Sequence, residues 1–208
     1  MGQKINPVGF RIGQFVNWKS RWFFDNQKRY RDFLLEDIKI RKVLMNKLKL
    51  AGITNVEIER FPKTMSITLN VSRPGVVIGR GGTGIEDVKK LVLEVIGNEG
   101  ILGNDMKIDI QVNEVKNPDL SAHLVAGRIA AELERRIPQR RVVNRVMERV
   151  MSAGAQGIKV VLSGRIGGAD IARREKYHMG SVPSQTLREI IDYSYVPALL
   201  KRGYVGVK

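Results

Sequence analysis

The sequence contains no cysteine, and its two histidines, His123 and His178, stand far apart. Without thiols there is no disulfide framework, no thiolate zinc site and no Cys-His nucleophile pair, and two distant histidines make no metal cluster. His178 lies in a basic stretch and His123 in a helical one, so each reads as structural or partner-facing rather than as a ligand. Long apolar runs are missing too. None approaches the roughly 18 residues of a membrane span, and the first residues carry no signal-peptide core. Met1-Gly2 would admit myristoylation, but position 6 is Asn where that signal takes Ser or Thr. The expectation is a cytoplasmic chain with no membrane partner.

Acidic residues are scarce relative to basic ones. There are 36 Lys and Arg against 21 Asp and Glu, a net charge of +15. Twenty basic and thirteen acidic residues precede Asn117, and sixteen and eight follow, so the excess is spread along the chain rather than held in a tail. A folded chain this basic repels itself unless a polyanion compensates, which makes nucleic acid the expected partner. At 43% hydrophobic residues over 208 positions, two cores of ordinary size are available.

Three regions are distinguishable. Residues 1–24, with breakers at Gly2, Pro7, Gly9 and Gly13 and two tryptophans, read as an extended basic arm ordered by what it binds. Residues 25–116 read as one α+β domain. A helix over 25–51 places Ile40, Leu44, Leu48 and Ala51 on one face, and Gly52 caps it. Val56 and Ile58 mark a strand, and Phe61-Pro62-Lys63-Thr64 a turn. Met65, Ile67, Leu69 and Val71 mark a second strand, stopped by Pro74-Gly75. A glycine loop and a helix with Val88, Leu91, Val92 and Val95 inward precede a third strand on Met106, Ile108, Ile110 and Val112. Residues 117–208 read as a second α+β domain. Asn117-Pro118-Asp119 opens a helix that Pro138 breaks, and a second helix runs over 139–153. Strand-like runs follow at Ile158–Leu162, Ile190–Val196 and Tyr204–Lys208.

The densest motif is Val77-Ile78-Gly79-Arg80-Gly81-Gly82-Thr83-Gly84-Ile85. It satisfies the dinucleotide pattern G-x-G-x-x-G through Gly79, Gly81 and Gly84, and the KH pattern through Gly79, Gly82 and Ile85. Both aim backbone N–H groups and a helix N-terminus at phosphate. A dinucleotide site needs a buried parallel strand feeding the loop, and Pro74-Gly75 leaves only Val76-Val77-Ile78 for it. The KH reading is therefore taken, with Gly79, Arg80, Gly81 and Gly82 as the RNA-binding loop. Its rival is a nicotinamide-dependent oxidoreductase with Glu114 as the ribose carboxylate, although no catalytic constellation accompanies it. A nuclease on Asp105 and Asp109 lacks a metal cluster.

Arg135, Arg136, Arg140 and Arg141 surround Pro138, and Arg141, Arg145 and Arg149 recur every fourth residue along one helix face. Guanidinium forks suit phosphate and stack on bases, while a solvated face pairing with Glu148 is the alternative. The block Ser163–Asp170 contains another G-x-x-G beside Arg165, Arg173, Arg174 and Lys176, and reads equally as a strand connection approaching RNA or as a tight turn without ligand. Trp18 and Trp22 suit base stacking, but packing onto the neighbouring domain is the reading taken.

Three blocks, MGQKINPVGFRIG, RPGVVIGRGG and SGRIGGADIARRE, together resemble bacterial small-subunit ribosomal protein number three over essentially the whole chain. The resemblance implies a type II KH domain followed by a second α+β domain in the head of the small subunit. It implies binding to the small-subunit rRNA, contact with neighbouring head proteins, and a place at the opening through which mRNA enters its channel. Arg140 and Arg141 match family residues that face incoming mRNA and support unwinding of structured messages. A further basic position of the family falls at Asn144 here, with Arg145 beside it. Lys4, Arg11, Arg165, Arg173 and Arg174 are the rRNA-facing candidates. The chain is expected to be ribosome-associated, not an enzyme, without cofactor or metal, and not an independent homo-oligomer.

Overall fold

The computed structural model describes residues 3–62, 64–97 and 107–208. Met1, Gly2, Lys63, Asp105 and Met106, invoked above, lie outside the described residues. The chain divides into two compact units, Trp18–Lys116 and a second formed by Met1–Asn17 with Asn117–Lys208. The expected boundary after residue 24 therefore moves, and the expected arm is shared between the two units.

In the unit Trp18–Lys116 a short strand β1 (Ser20–Arg21) precedes helix α2 (Gln27–Lys47); α1 (Pro7–Arg11) belongs to the other unit. The Asn26 side chain accepts from the Lys28 N–H and starts α2, and Gly52, in the left-handed region at φ 68°, ends the turn that follows it. Then come β2 (Ile53–Arg60), β3 (Thr64–Val71), α3 (Pro74–Ile78), α4 (Thr83–Gly97) and β4 (Lys107–Glu114). The sheet order is β1-β2-β3-β4, with β2 and β3 antiparallel and the other pairings parallel. Alternation sends Val56, Ile58, Met65, Ile67, Leu69 and Val71 to one face, where Ile40 and Leu44 of α2 and Val88, Val92 and Ile96 of α4 cover them.

One edge of this core is charged. Arg60 at the end of β2 is 6% exposed and reaches Asp37 (0%) and Glu36 (7%) on α2. Its Nη2 and Nε donate to Asp37 Oδ1 at 2.6 and 2.9 Å, and Nη1 donates to Glu36 Oε2 at 2.9 Å. The other Asp37 oxygen accepts from Trp22 Nε1 at 2.8 Å and Ser20 Oγ at 3.1 Å. Arg41 closes the group by donating to Ser20 Oγ at 2.6 Å, and burial lowers its pKa against the attraction of Asp37. Trp22 therefore packs on its own domain, as the sequence suggested, while Trp18 is 64% exposed.

In the other unit α1 (Pro7–Arg11) is capped by Asn6, whose side chain accepts from the N–H groups of Val8 and Gly9. Helices α5 (Ala122–Glu134) and α6 (Gln139–Ser152) precede four antiparallel strands, β5 (Gly157–Gly164), β6 (Arg173–Gly180), β7 (Val196–Leu200) and β8 (Gly203–Val207), in sheet order β6-β5-β8-β7. Ile129, Leu133, Val143, Val146 and Val150 of the helices meet Val160, Leu162, Val205 and Val207 of the sheet in one core.

Several expectations are corrected here. The helix expected from Asn117 begins at Ala122, because Pro118–Leu120 forms a short 3₁₀ turn and the Ala122 N–H is capped by Asp192 Oδ2 at 2.7 Å. Residues 190–195 are not a strand; β7 starts at Val196. Strand β6 was not anticipated. Arg11 does not face a partner at all. It is 0% exposed, with Nε donating to the Glu189 carbonyl at 2.6 Å, Nη1 to Pro7 at 2.9 Å and Nη2 to Thr186 at 2.7 Å. A guanidinium can enter a core only when such acceptors replace water, and here they tie residues 7–11 to residues 184–189.

Replacing Arg60 by Met strands two buried carboxylates and should lower stability by about 3–5 kcal/mol. Arg21→Ala, which removes only exposed pairs with Glu57 and Glu59, should cost about 1 kcal/mol or less. Urea unfolding of the two variants should separate them; equal midpoints would show that the buried group contributes no more than a surface pair.

Candidate nucleic-acid interface

The glycine loop lies between two helices. α3 ends at Ile78, Gly79 leaves it at φ 70° and ψ −179°, and α4 starts at Thr83. The four glycines do different work. A Cβ on Gly84 would stand 2.4 Å from the Val77 carbonyl oxygen, and one on Gly79 would stand 2.9 Å from the Gly84 nitrogen. These two positions allow α4 to close onto α3. Gly81 and Gly82 have φ of 65° and 84° with open space where a Cβ would be, so they are required by backbone direction alone. Arg80 and Gly81 stand exposed at the tip, and Thr83 Oγ1 donates to the Arg80 carbonyl at 3.1 Å. Since a helix rather than a strand feeds the loop, it is not the strand–loop–helix turn of a dinucleotide fold. That rival is set aside on geometry.

The arginine region is built on two copies of one helix ending. After α6, Gly154 (φ 96°) donates its N–H to the Met151 carbonyl at 3.0 Å, and Ala155 donates to Val150 at 3.4 Å. After α5, Arg136 (φ 63°) donates to Leu133 at 2.9 Å, and Ile137 donates to Glu132 at 3.3 Å. Both are Schellman motifs, in which the residue past the cap adopts the left-handed conformation that glycine takes most readily. Among the described residues Arg136 is the one non-glycine with positive φ. Its guanidinium is thereby held on an exposed corner beside Arg135.

On α6, Val142, Val143, Val146, Met147 and Val150 are buried while Arg141, Arg145 and Arg149 are exposed on the far side. Arg145 stands 3.8 Å from Glu132, whose Oε2 is shielded and, among the described residues, accepts no hydrogen bond. Arg140 departs from this stripe. It lies against the hydroxyl of Tyr177, which donates to Glu175 Oε2 at 2.6 Å. Burial first, and then Glu175, raise the Tyr177 pKa above its usual 10, while Arg140 opposes the shift.

The remaining candidates divide. Lys4 is exposed. Arg165 closes its own turn, donating to the Ala169 carbonyl and to Asp170 Oδ1, both at 2.9 Å, and Arg202 meets the same carboxylate at 3.0 Å. The second G-x-x-G is therefore a pinned turn with Gly167 and Gly168 at positive φ. Arg173 pairs with Glu175 at 2.8 Å, whereas Arg174 is exposed and makes no side-chain hydrogen bond or ion pair among the described residues.

A glycine loop joining two helices, inserted between the parallel strands β3 and β4 of a small mixed sheet, defines a KH domain. The family model described as KH domain matches residues 39–120, and that described as Ribosomal protein S3, C-terminal domain, matches residues 129–208. The chain is similar to curated proteins called Small ribosomal subunit protein uS3. It is 47% identical to those of Finegoldia magna and Halalkalibacterium halodurans and 46% identical to that of Persephonella marina. All of this chain is covered, with 82%, 90% and 88% of the respective relatives. The chain belongs to the uS3 family of small ribosomal subunit proteins.

Arg136→Gly relieves the left-handed residue and should stabilise the second unit by about 1 kcal/mol, seen as a raised thermal midpoint. An unchanged or lowered midpoint would mean that the arginine side chain itself stabilises the turn.

Proposed function

We propose that this chain binds rRNA in the head of the small subunit and offers an arginine-rich surface to mRNA as it enters, without performing a chemical step. It works there as a ribosome-associated cytoplasmic protein beside other head proteins. The observation that carries the reading is the exposed arginine set around the α5–α6 turn. Arg141 and Arg149 project from a helix whose other face is fully buried, and Arg135 and Arg136 stand at its entrance. Arginine in such a row holds phosphate through two parallel hydrogen bonds and stacks on unpaired bases. Strands entering from a duplex would therefore be gripped separately, and unwinding would follow from single-strand affinity rather than from hydrolysis.

Changing Arg140 and Arg141 to Ala should leave subunit yield near normal and slow translation chiefly through stable hairpins. The weakening should be similar for all message sequences, with a flatter salt dependence, by about 0.7 per lost single-strand phosphate contact. Failure to assemble would assign the pair to the rRNA interface instead. Normal passage through hairpins would return it to a solvated face.

The glycine loop is the proposed rRNA contact of the KH domain. Gly81→Asp with Gly82→Asp places two carboxylates at the exposed tip, where nothing lies within 4 Å of either new Cβ. Each Asp takes a left-handed φ at a cost of about 1 kcal/mol, which the domain should withstand, as judged by circular dichroism, and binding to deproteinised small-subunit rRNA should fall. Unchanged binding would make the loop purely structural.

A further inference from the structure

Strand β6, which the sequence did not announce, sorts its side chains by charge. Alternation puts Arg173, Glu175 and Tyr177 on the helix-covered side and Arg174, Lys176 and His178 on the other. The register pairs Lys159 with His178, Val161 with Lys176 and Ser163 with Arg174. Cross-strand partners share a face, so Lys159, Arg174, Lys176 and His178 form one outward group, and all four are exposed. The acid of this strand is turned the other way, since Glu175 serves Arg173 and Tyr177. Among the described residues none of the four outward groups has an ion pair or a side-chain hydrogen bond. A shallow cleft of about 260 Å³ opens at the Gly180 end of the strand, lined by Lys159, Lys176, Tyr177, His178, Gly180 and Val182.

Arg174 and Lys176, two apart on one strand, and Lys159, diagonal to Lys176 on the next, are neighbouring cations that repel one another. An arrangement of this kind, with no acid interspersed, fits a polyanion that lies along the strand. β6 is the edge of its sheet, so no neighbouring strand obstructs such a partner. Residues two apart on a strand are about 6.7 Å apart, comparable with the separation of successive phosphates in an RNA chain. The core-facing side of the same sheet is covered by α5 and α6, and the arginines of α6 point away from that core. The two basic faces are thus separated by one sheet and one helical layer, about 20 Å in all.

We propose that the outer face of the β5–β6 ribbon, through Lys159, Arg174 and Lys176 with His178, binds the phosphate backbone of a second RNA segment, so that this unit bridges two RNA segments on opposite sides. The inference rests on the reading of the chain as an RNA-binding protein and adds a site to it. Two of these groups are lysines, which act on phosphate as point charges, so the contact positions RNA without reading its sequence.

The test uses the full chain with two rRNA fragments, one fluorescent and one biotinylated. Lys159→Gln/Arg174→Gln/Lys176→Gln is compared with Arg141→Gln/Arg145→Gln/Arg149→Gln. The wild type should capture both fragments at once. The β5–β6 variant should lose the three-component complex, keep single-fragment binding, and reduce the salt slope for total rRNA by about 2 to 3. Wild-type bridging and slope in that variant would overturn the inference. If that variant also self-associates, the charges only keep the edge strand from pairing with another sheet. If it loses instead a cross-link to an acidic neighbouring protein in assembled subunits, the face belongs to that protein. Should the wild type bind neither fragment, the broader RNA-binding reading fails, whereas loss confined to the α6 variant rejects this inference alone.

Discussion

A buried guanidinium costs several kcal/mol unless its donors are taken up, and two such groups decide how this chain is partitioned. Arg60 is held by Asp37 and Glu36, and Asp37 in turn takes the indole of Trp22 and the hydroxyl of Ser20. Residues 18–24, the first half of α2 and the end of β2 are therefore one assembly. Arg11 is buried without a carboxylate and is satisfied by main-chain carbonyls of residue 7 and residues 184–189. That solution fixes the N-terminal residues to the unit that contains the last strands. It also holds in place a connection, 181–195, that forms no helix or strand. Each of these arginines stabilises its own unit and is withdrawn from any partner.

Much of the fold was legible because hydrophobic alternation and helical spacing report burial on one face. The strands on Val56–Ile58 and Met65–Val71 and the valine face of α6 follow from that rule. Strand β6 was hidden because RREKYHMG is an edge strand with no apolar alternation for burial to impose. Conversely, Ile190, Ile191, Tyr193 and Tyr195 imitate a strand while lying in an irregular segment. Tyr195 there covers Gly206, where a Cβ would stand 2.9 Å from its ring. Arg11 misled because charge usually marks the surface. The usable signal was Asn6-Pro7, a helix start that ordered the segment in which Arg11 sits.

The candidate sites were legible in kind rather than in detail. The pattern of glycines named the loop, but only the close approach of α4 to α3 shows that Gly79 and Gly84 serve packing while Gly81 and Gly82 serve direction. The arginine spacing named the α6 stripe, yet Arg140 turns to Tyr177 and Arg145 inclines to Glu132. At Arg136 a residue with a Cβ occupies a position where the equivalent turn after α6 uses Gly154. A glycine would fold more easily at this position.

The distribution of acid completes the electrostatic logic of the second unit. Asp192 caps α5, Glu134 accepts the Leu199 N–H, Asp119 holds Arg128, and Asp170 joins Arg165 to Arg202. Glu175 links Tyr177 and Arg173 on the covered side of β6. Carboxylates are thus drawn to caps, turns and the covered side of β6, where they replace water for specific donors. Glu148 interrupts the exposed side of α6, and no acid interrupts the outward register of β6. The net positive field over these faces concentrates phosphate near them. The fold uses its acids to close its turns, and that same use leaves the outward face of β6 without one.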